Sequence, residues 1–324
     1  MTDAFQKYTV DNGFASTLLY FGSKTTPQIE AIINLTSQTE GDSRYDLKLS
    51  HIVGDIFVFA EESIESKNPQ APPKKIILGG DHKETGLKTL LYEKNSKATI
   101  AQSIIKILSC IRIYHFQDTS KDSFIKQARA IEDNSYLKSD GGNLASVLYR
   151  LKNEYPKHYN KIKLVIRQMA PFFDDFILIP SRDYILLKYK EIGSDMEFGA
   201  FRLSDGTLRF MALATLLIQP KEEMPPIIII DDPEFALHPV AIDKLASLLR
   251  SASRYSQIFI ATQSERLLNH FEVENIIVVS REKERGTNRY FSEFKKLDDE
   301  ELKTWFAEYS LSKIWDSNMI GGRP

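Results

Sequence analysis

The chain has 324 residues, with 42 Lys and Arg against 44 Asp and Glu for a net charge of −2, and 42% of it is hydrophobic. That composition supports a buried core, excludes wholesale disorder and gives no whole-surface attraction for nucleic acid, while the length suits about two domains. No apolar run approaches the roughly 18 residues of a membrane span, no basic-then-apolar leader is visible, and the single cysteine, Cys110, excludes an internal disulfide or a Cys-based zinc site. The expectation is a soluble, cytoplasmic, mixed α/β protein without a membrane partner.

The first third reads mainly as strands. Ile29, Ala31, Ile33 and Leu35 alternate with polar residues, as do Tyr45, Leu47 and Leu49 after the turn-rich stretch Thr39 to Ser43, which predicts an antiparallel hairpin. Ile56 to Phe59 and Thr89 to Tyr92 are further strand candidates, and Ser66 to Lys75, with three prolines, reads as a loop. His115, in the run Ile111 to Phe116, reads as half-buried and structural.

The middle third turns helical. Leu144, Val147, Leu148 and Leu151 form one stripe at helical spacing and Ile162, Val165, Ile166 and Met169 another, with Tyr155-Pro156 between them. The stretch Ser139 to Asn143 is turn and N-cap chemistry. In the last third, Phe176 to Ile179 and Tyr184 to Leu187 read as strands. Helices are predicted over Gly206–Leu217, Val240–Arg250 and Glu265–Phe271, alternating with strands Ile227–Ile230, Ile258–Ala261 and Ile276–Val279. Such alternation predicts a parallel, doubly wound sheet. Asp298 to Glu301 reads as the acidic first turn of a helix, and Arg281 to Arg285 as a solvated hairpin loop.

Three segments carry candidate chemistry. Asp231 and Asp232 follow a wholly apolar strand, where ligands of open parallel sheets bind. They can hold a hydrated magnesium ion and orient a water, or one of them can simply cap the next turn. Ser204, in Leu203-Ser204-Asp205-Gly206-Thr207, can bind a phosphate oxygen at a helix start, or serve as an ordinary N-cap. Gln263, in Ala261-Thr262-Gln263-Ser264, can contact a phosphate or an attacking water, or merely precede an N-cap at Ser264.

In this order and spacing the three segments resemble the nucleotide-binding lobe of ABC-type ATPases, in the RecF-like and SMC-like soluble branch often described as AAA-family ATPases. Leu203 to Thr207 resembles the signature motif, Ile227 to Asp232 the Walker B strand, Pro233 to Pro239 the D-loop and Ala261 to Ser264 the switch segment. The likeness extends to Tyr114 to Ser120, Gly142 to Ala145 and the tail Gly321 to Pro324. It implies a P-loop NTPase α/β fold of the ABC-head type, with the remainder of a mainly β lobe over 1–117, a helical subdomain over 118–173 and a parallel-sheet lobe over 174–324.

The resemblance also implies ATP and Mg2+ as cofactors, and two heads that sandwich ATP as a homodimer or with a paired ATPase head. Carried over by position, Ser204, Asp205 and Gly206 contact the partner's nucleotide, Asp231 holds magnesium with Gln117 as the magnesium-contacting glutamine, and Asp232 is the base that activates water. His238 lies in the loop linking the two sites, and Gln263 stands where many relatives have a switch histidine. Aspartate in place of glutamate at 232 loses one methylene of reach and predicts slow turnover. DNA repair or recombination and anti-phage defence are the settings it suggests, with DNA and a separate effector subunit as partners.

One part is missing. A P-loop needs Gly-x-x-x-x-Gly-Lys-Ser/Thr, and the 324 residues contain none. Phe21 to Thr25 and Gly80 to Thr89 are imperfect likenesses, read as a loop and as a turn between strands. Met1 to Phe5 resembles the continuation of a P-loop helix, so the expectation is a start placed just after the P-loop, whose strand is absent here. ATP hydrolysis then requires an upstream P-loop and residues 1–324 alone are not competent. The alternative is a pseudo-ATPase scaffold that pairs with an intact head, and a weaker one is a metal-dependent phosphoesterase using Asp231 and Asp232.

Overall fold

The computed structural model describes residues 4–37, 41–67, 74–91 and 96–297, together with Lys313, Trp315 and Ser317. Asp298 to Glu301 and the tail Gly321 to Pro324 lie outside the described residues. The chain forms two compact units, Met1–Cys110 and Ile111–Pro324.

The first unit opens with α1 (Ala4–Asp11) and α2 (Phe14–Thr17), followed by strands β1 (Gln28–Ser37), β2 (Gly41–Ile52), β3 (Ile56–Lys67) and β4 (Lys74–Gly79), then α3 (Leu87–Leu90) and α4 (Ser96–Ser109). The four strands form one antiparallel sheet in sequential order. The hairpin expected from the alternating pattern is present, with Ile33 opposite Tyr45. Its inward residues Leu35, Tyr45, Ile64 and Ile76 pack with Ala101 and Ile104 of α4. A buried carboxylate, Glu62, accepts hydrogen bonds from the Tyr45 and Thr85 hydroxyls and from the Gly86 amide.

That carboxylate explains one departure from the sequence reading. Thr89 and its neighbours were expected to form a strand, yet Leu87–Leu90 is a helical turn and Gly80 to Thr89 leads from a strand into a helix. Glu62 holds the Gly86 amide, and the Thr85 hydroxyl accepts from the Leu87 amide at 3.1 Å. Satisfying free amides at a helix start outweighs a weak β preference.

The second unit contains β5 (Ile111–Tyr114), β6 (Arg129–Ala130), α5 (Leu144–Glu154), α6 (Pro156–Met169), β7 (Phe173–Ile177), β8 (Tyr184–Ile185), β9 (Lys188–Glu191), β10 (Glu197–Gly199), α7 (Asp205–Leu217), β11 (Ile227–Asp231), α8 (Pro239–Ala252), β12 (Gln257–Ala261), α9 (Glu265–Leu268), β13 (Ile277–Lys283) and β14 (Tyr290–Lys296). Its centre is a parallel sheet in the order β12-β11-β5. The strand β11, four isoleucines and Asp231, takes the middle place, but burial on both faces, as a doubly wound sheet would give, is not met: Ile228 and Ile230 are buried in the core, whereas Ile227 and Ile229 are half-buried on a face where Ile113 and Phe259 are exposed. From Leu208 to Leu217 helix α7 is apolar but for Arg209 and Thr215, and every residue of that stretch is buried, as befits a helix inside the core. Helices α5, α6 and α8 share that core.

Three expectations are corrected here. Ile276 to Val279 was expected to extend the parallel sheet, but β13 pairs antiparallel with β14. Arg281, Glu282 and Lys283, expected in a hairpin loop, are instead paired strand residues of β13, and only Glu284 and Arg285 of that stretch fall in the turn. The pattern of a short apolar run does not say which edge it joins. Asn143, at the start of α5, makes no side-chain cap. Buried, it accepts from the Lys138 amide and donates to the Asp133 and Tyr136 carbonyls, pinning the loop before the helix.

Candidate functional site

Three parallel strands release their following loops at one edge of the sheet. From β5 come His115, Phe116 and Gln117; from β11, Asp231 and the loop beginning at Asp232; from β12, Thr262, Gln263 and Ser264. Asp231 is still paired with Ala261 of β12, and the Asp232 amide donates to the Ala261 carbonyl at 2.9 Å. Asp232 has φ +42°, a left-handed conformation that Asp tolerates better than most side chains. A small open cleft is lined by Gln117, Asp231, Asp232, Phe116 and Arg209, among others. The two candidate metal-holding residues and the candidate base therefore share one cleft.

His115 departs from its sequence reading as half-buried. Its side chain is 54% exposed, with Nδ1 3.7 Å from Asp231 Oδ2, and its amide donates to the Ser139 carbonyl at 2.8 Å. It lies beyond the end of the strand because β5 ends at Tyr114.

The loop after the acids is held from three sides. The Phe235 amide donates to the Asp232 carbonyl and the Leu237 amide to the Glu234 carbonyl, with Ala236 at φ +61°. Thr262 donates its hydroxyl to Glu234 Oε1 and accepts from the Ser264 amide, so the D-loop and the switch segment are linked. Burial pushes the Glu234 carboxyl above its ordinary range against the lowering effect of the Thr262 bond, and its buried Oε2 has no partner. On the third side lies Gly206. A Cβ built there would meet the Ala236 carbonyl oxygen at 2.3 Å. Only glycine lets the first turn of α7 sit directly on the D-loop backbone.

Two of the remaining candidates, Ser204 and His238, are helix caps. Ser204 Oγ accepts from the Thr207 amide at 3.2 Å and lies 2.8 Å from Thr207 Oγ1; Ser204 and Asp205 are exposed at the start of α7. His238 caps α8, its Nδ1 accepting from the Val240 amide at 3.3 Å. Ser264 caps α9, and Gln263 beside it is exposed. Neither His238 nor Gln263 lines the cleft.

Arg209 is the residue that sequence reasoning passed over. It is 6% exposed on α7. Nε donates to the Phe116 carbonyl at 2.8 Å, Nη1 to the Phe235 carbonyl at 3.1 Å and Nη2 to the Gln117 carbonyl. Its guanidinium lies 4.6 Å from the centre of the Phe235 ring. Burial lowers its pKa from the usual value, partly offset by the Asp205 charge. The signal was there to read: one cation inside the apolar run Leu208 to Ile218.

Acidic side chains at the carboxyl end of a parallel sheet, beside a capped helix start, are the arrangement at which α/β units commonly bind phosphates and metal ions. Residues 55–269, more than half of the chain, match the family described as "AAA domain, putative AbiEii toxin, Type IV TA system", and the chain belongs to that family. Similar solved structures include the SmcHead bound to the C-winged helix domain of ScpA, at 14% identity and TM-score 0.43, covering 80% of this chain and 77% of that one. Others are the Smc head domain with an extended coiled coil bound to the C-terminal domain of ScpA, derived from Pyrococcus furiosus (14%, TM-score 0.41, 84% and 82%), and the SMC head domain from Thermotoga maritima (11%, TM-score 0.33, 79% and 74%). No curated protein matches the chain. Among the described residues no helix is long and apolar enough to cross a membrane.

The family implies nucleotide binding, typically with Mg2+. The donors present suit that ion. Magnesium keeps most of its waters and takes one or two carboxylates plus substrate phosphates, and the cleft offers Asp231, half-exposed, with Asp232 and the Gln117 amide. Among the described residues no cluster of three His, Cys, Asp or Glu competes as a complete protein-only metal cage.

Proposed function

We propose that this chain supplies the signature-bearing part of an ABC-type ATPase head, which associates with a second head on ATP and couples hydrolysis to action on DNA or on a partner protein. The observation that carries this reading is the convergence at one edge of the sheet. Gln117, Asp231 and Asp232 share a cleft, and the start of α7 rests on the backbone of the loop that follows the two acids. In this reading Asp231 and Gln117 would hold Mg2+, which when bound neutralises charge on the phosphates. Asp232 takes the proton of the attacking water. Ser204, Asp205 and Gly206 present the start of α7 to the γ-phosphate held by the facing head. His238 and Gln263 serve as the loop and switch contacts between the two nucleotides.

Residues 1–324 contain no P-loop motif. The cradle for the other phosphates therefore comes, in this proposal, from residues outside these, on the same polypeptide or on a paired intact head. The second arrangement is the scaffold alternative, in which this chain donates Ser204 and Gly206 to a partner's ATP. The word toxin in the family description agrees with a defence setting, and a separate effector subunit agrees with either arrangement.

The test is Asp232→Asn in the protein purified from its host. Sedimentation with ATP and Mg2+ should show transient association for the wild type and a persistent assembly for the variant. Two bound nucleotides per pair support two working sites, and one supports the scaffold arrangement. No nucleotide-dependent association in either protein would overturn the proposal.

A further inference from the structure

Arg209 poses an energetic question that packing does not answer. Its neighbours on α7 are apolar and buried, so leucine or methionine would fill the same place without the cost of taking a guanidinium out of water. Arg150, also well buried, meets that cost with a carboxylate: its fork binds both oxygens of Glu223 at 2.6 Å. Arg209 has no carboxylate within ion-pair range among the described residues. It spends three donors on main-chain carbonyls instead, two from the segment after β5 and one from the D-loop. Those segments lie 93, 92 and 26 residues away in sequence.

A clasp on carbonyls has a particular consequence. It fixes the backbone of Phe116, Gln117 and Phe235 while leaving the exposed Gln117 side chain uncommitted. The planar fork is suited to hold three acceptors at once, which a lysine ammonium on a flexible stem is not. The same helix carries Gly206 against Ala236. A shift of α7 is thereby transmitted to both the Gln117 segment and the D-loop.

We infer that Arg209 is a positioning residue that couples the signature helix to the magnesium-holding segment at Gln117 and to the D-loop at Phe235, so that engagement of Ser204 to Gly206 sets the geometry of the cleft. This rests on the ATPase-head reading proposed above.

The test is ATP hydrolysis by the full-length protein as a function of Mg2+ concentration at saturating ATP, for wild type and Arg209→Lys. Coupling predicts that kcat falls about tenfold and the half-saturating Mg2+ concentration rises about tenfold, while the KM for ATP stays within about twofold. A residue that only stabilises the fold would lower the active fraction and leave the Mg2+ dependence in place; that result, or no loss of rate, overturns the inference. If Arg209→Lys does not fold, Phe235→Leu decides. It removes the ring beside the guanidinium and keeps the carbonyl, and it should raise the half-saturating Mg2+ about threefold; an unchanged value overturns the coupling. A wild-type protein without Mg2+-dependent hydrolysis would instead defeat the functional reading itself.

Discussion

At the residue scale Gly206 sets two effects of opposite sign against each other. In a helix, alanine is favoured over glycine by about 1 kcal/mol. At Gly206 the added methyl would stand 2.3 Å from the Ala236 carbonyl, and forcing such a contact costs about 1–3 kcal/mol. The clash should win. Gly206→Ala is expected to lower the urea midpoint, whereas a gain in stability would mean that the start of α7 does not rest on the D-loop. At this scale the sequence singled out Asp231 and Asp232, two acids after four isoleucines, and both line the cleft. It disclosed Arg209 and Glu234 less well. Their partners are carbonyls and a threonine hydroxyl from distant segments, and no local pattern encodes such pairings. His115 was misjudged for a related reason: alternation marked its strand but not where the strand ends.

At the element scale the short helix α9 is fastened to α8 by one carboxylate. Asp243 accepts from Arg266 Nε at 2.8 Å and Nη2 at 2.5 Å, and lies 2.9 Å from His270 Nε2. The Arg266 and His270 hydrogen bonds hold its pKa down to about 2, below the unfolded value of about 3.9. A depressed carboxyl adds stability above the unfolded pKa and loses it as pH falls through the folded one. Asp243→Asn should therefore be less stable than wild type at pH 7, with the difference closing between about pH 4 and pH 2. Equal differences at pH 7 and pH 2, measured by urea unfolding, would contradict the ion pair. Helices α5 to α8 were legible because each shows apolar periodicity or sits between clear stops. Helix α3 was not, since its start depends on Glu62 from another strand. The partner of β13 was not, since pairing is decided by tertiary context.

On the scale of the whole molecule, the residues proposed to act together all lie in the second unit, Ile111–Pro324, while the family match begins at residue 55, inside the first. The order of motifs along the chain made the family recognisable: one segment after β5, one before α7, one after β11 and one after β12. What the order could not reveal is that the segments are mechanically joined, through Gly206 on Ala236, Arg209 on three carbonyls and Thr262 on Glu234. The first two joints arise from packing of α7 under the loops, the third links the segments after β11 and β12, and none follows from a spacing in the sequence.

The central claim is that the start of α7 completes a nucleotide site. Photocrosslinking with an ATP analogue carrying the reactive group on its γ-phosphate, followed by peptide mapping of the protein from its host, tests it most directly. The account predicts Mg2+-dependent label on the peptide containing Ser204 to Thr207, lost in Ser204→Arg. Label confined to other segments, or unchanged by Ser204→Arg, would contradict it.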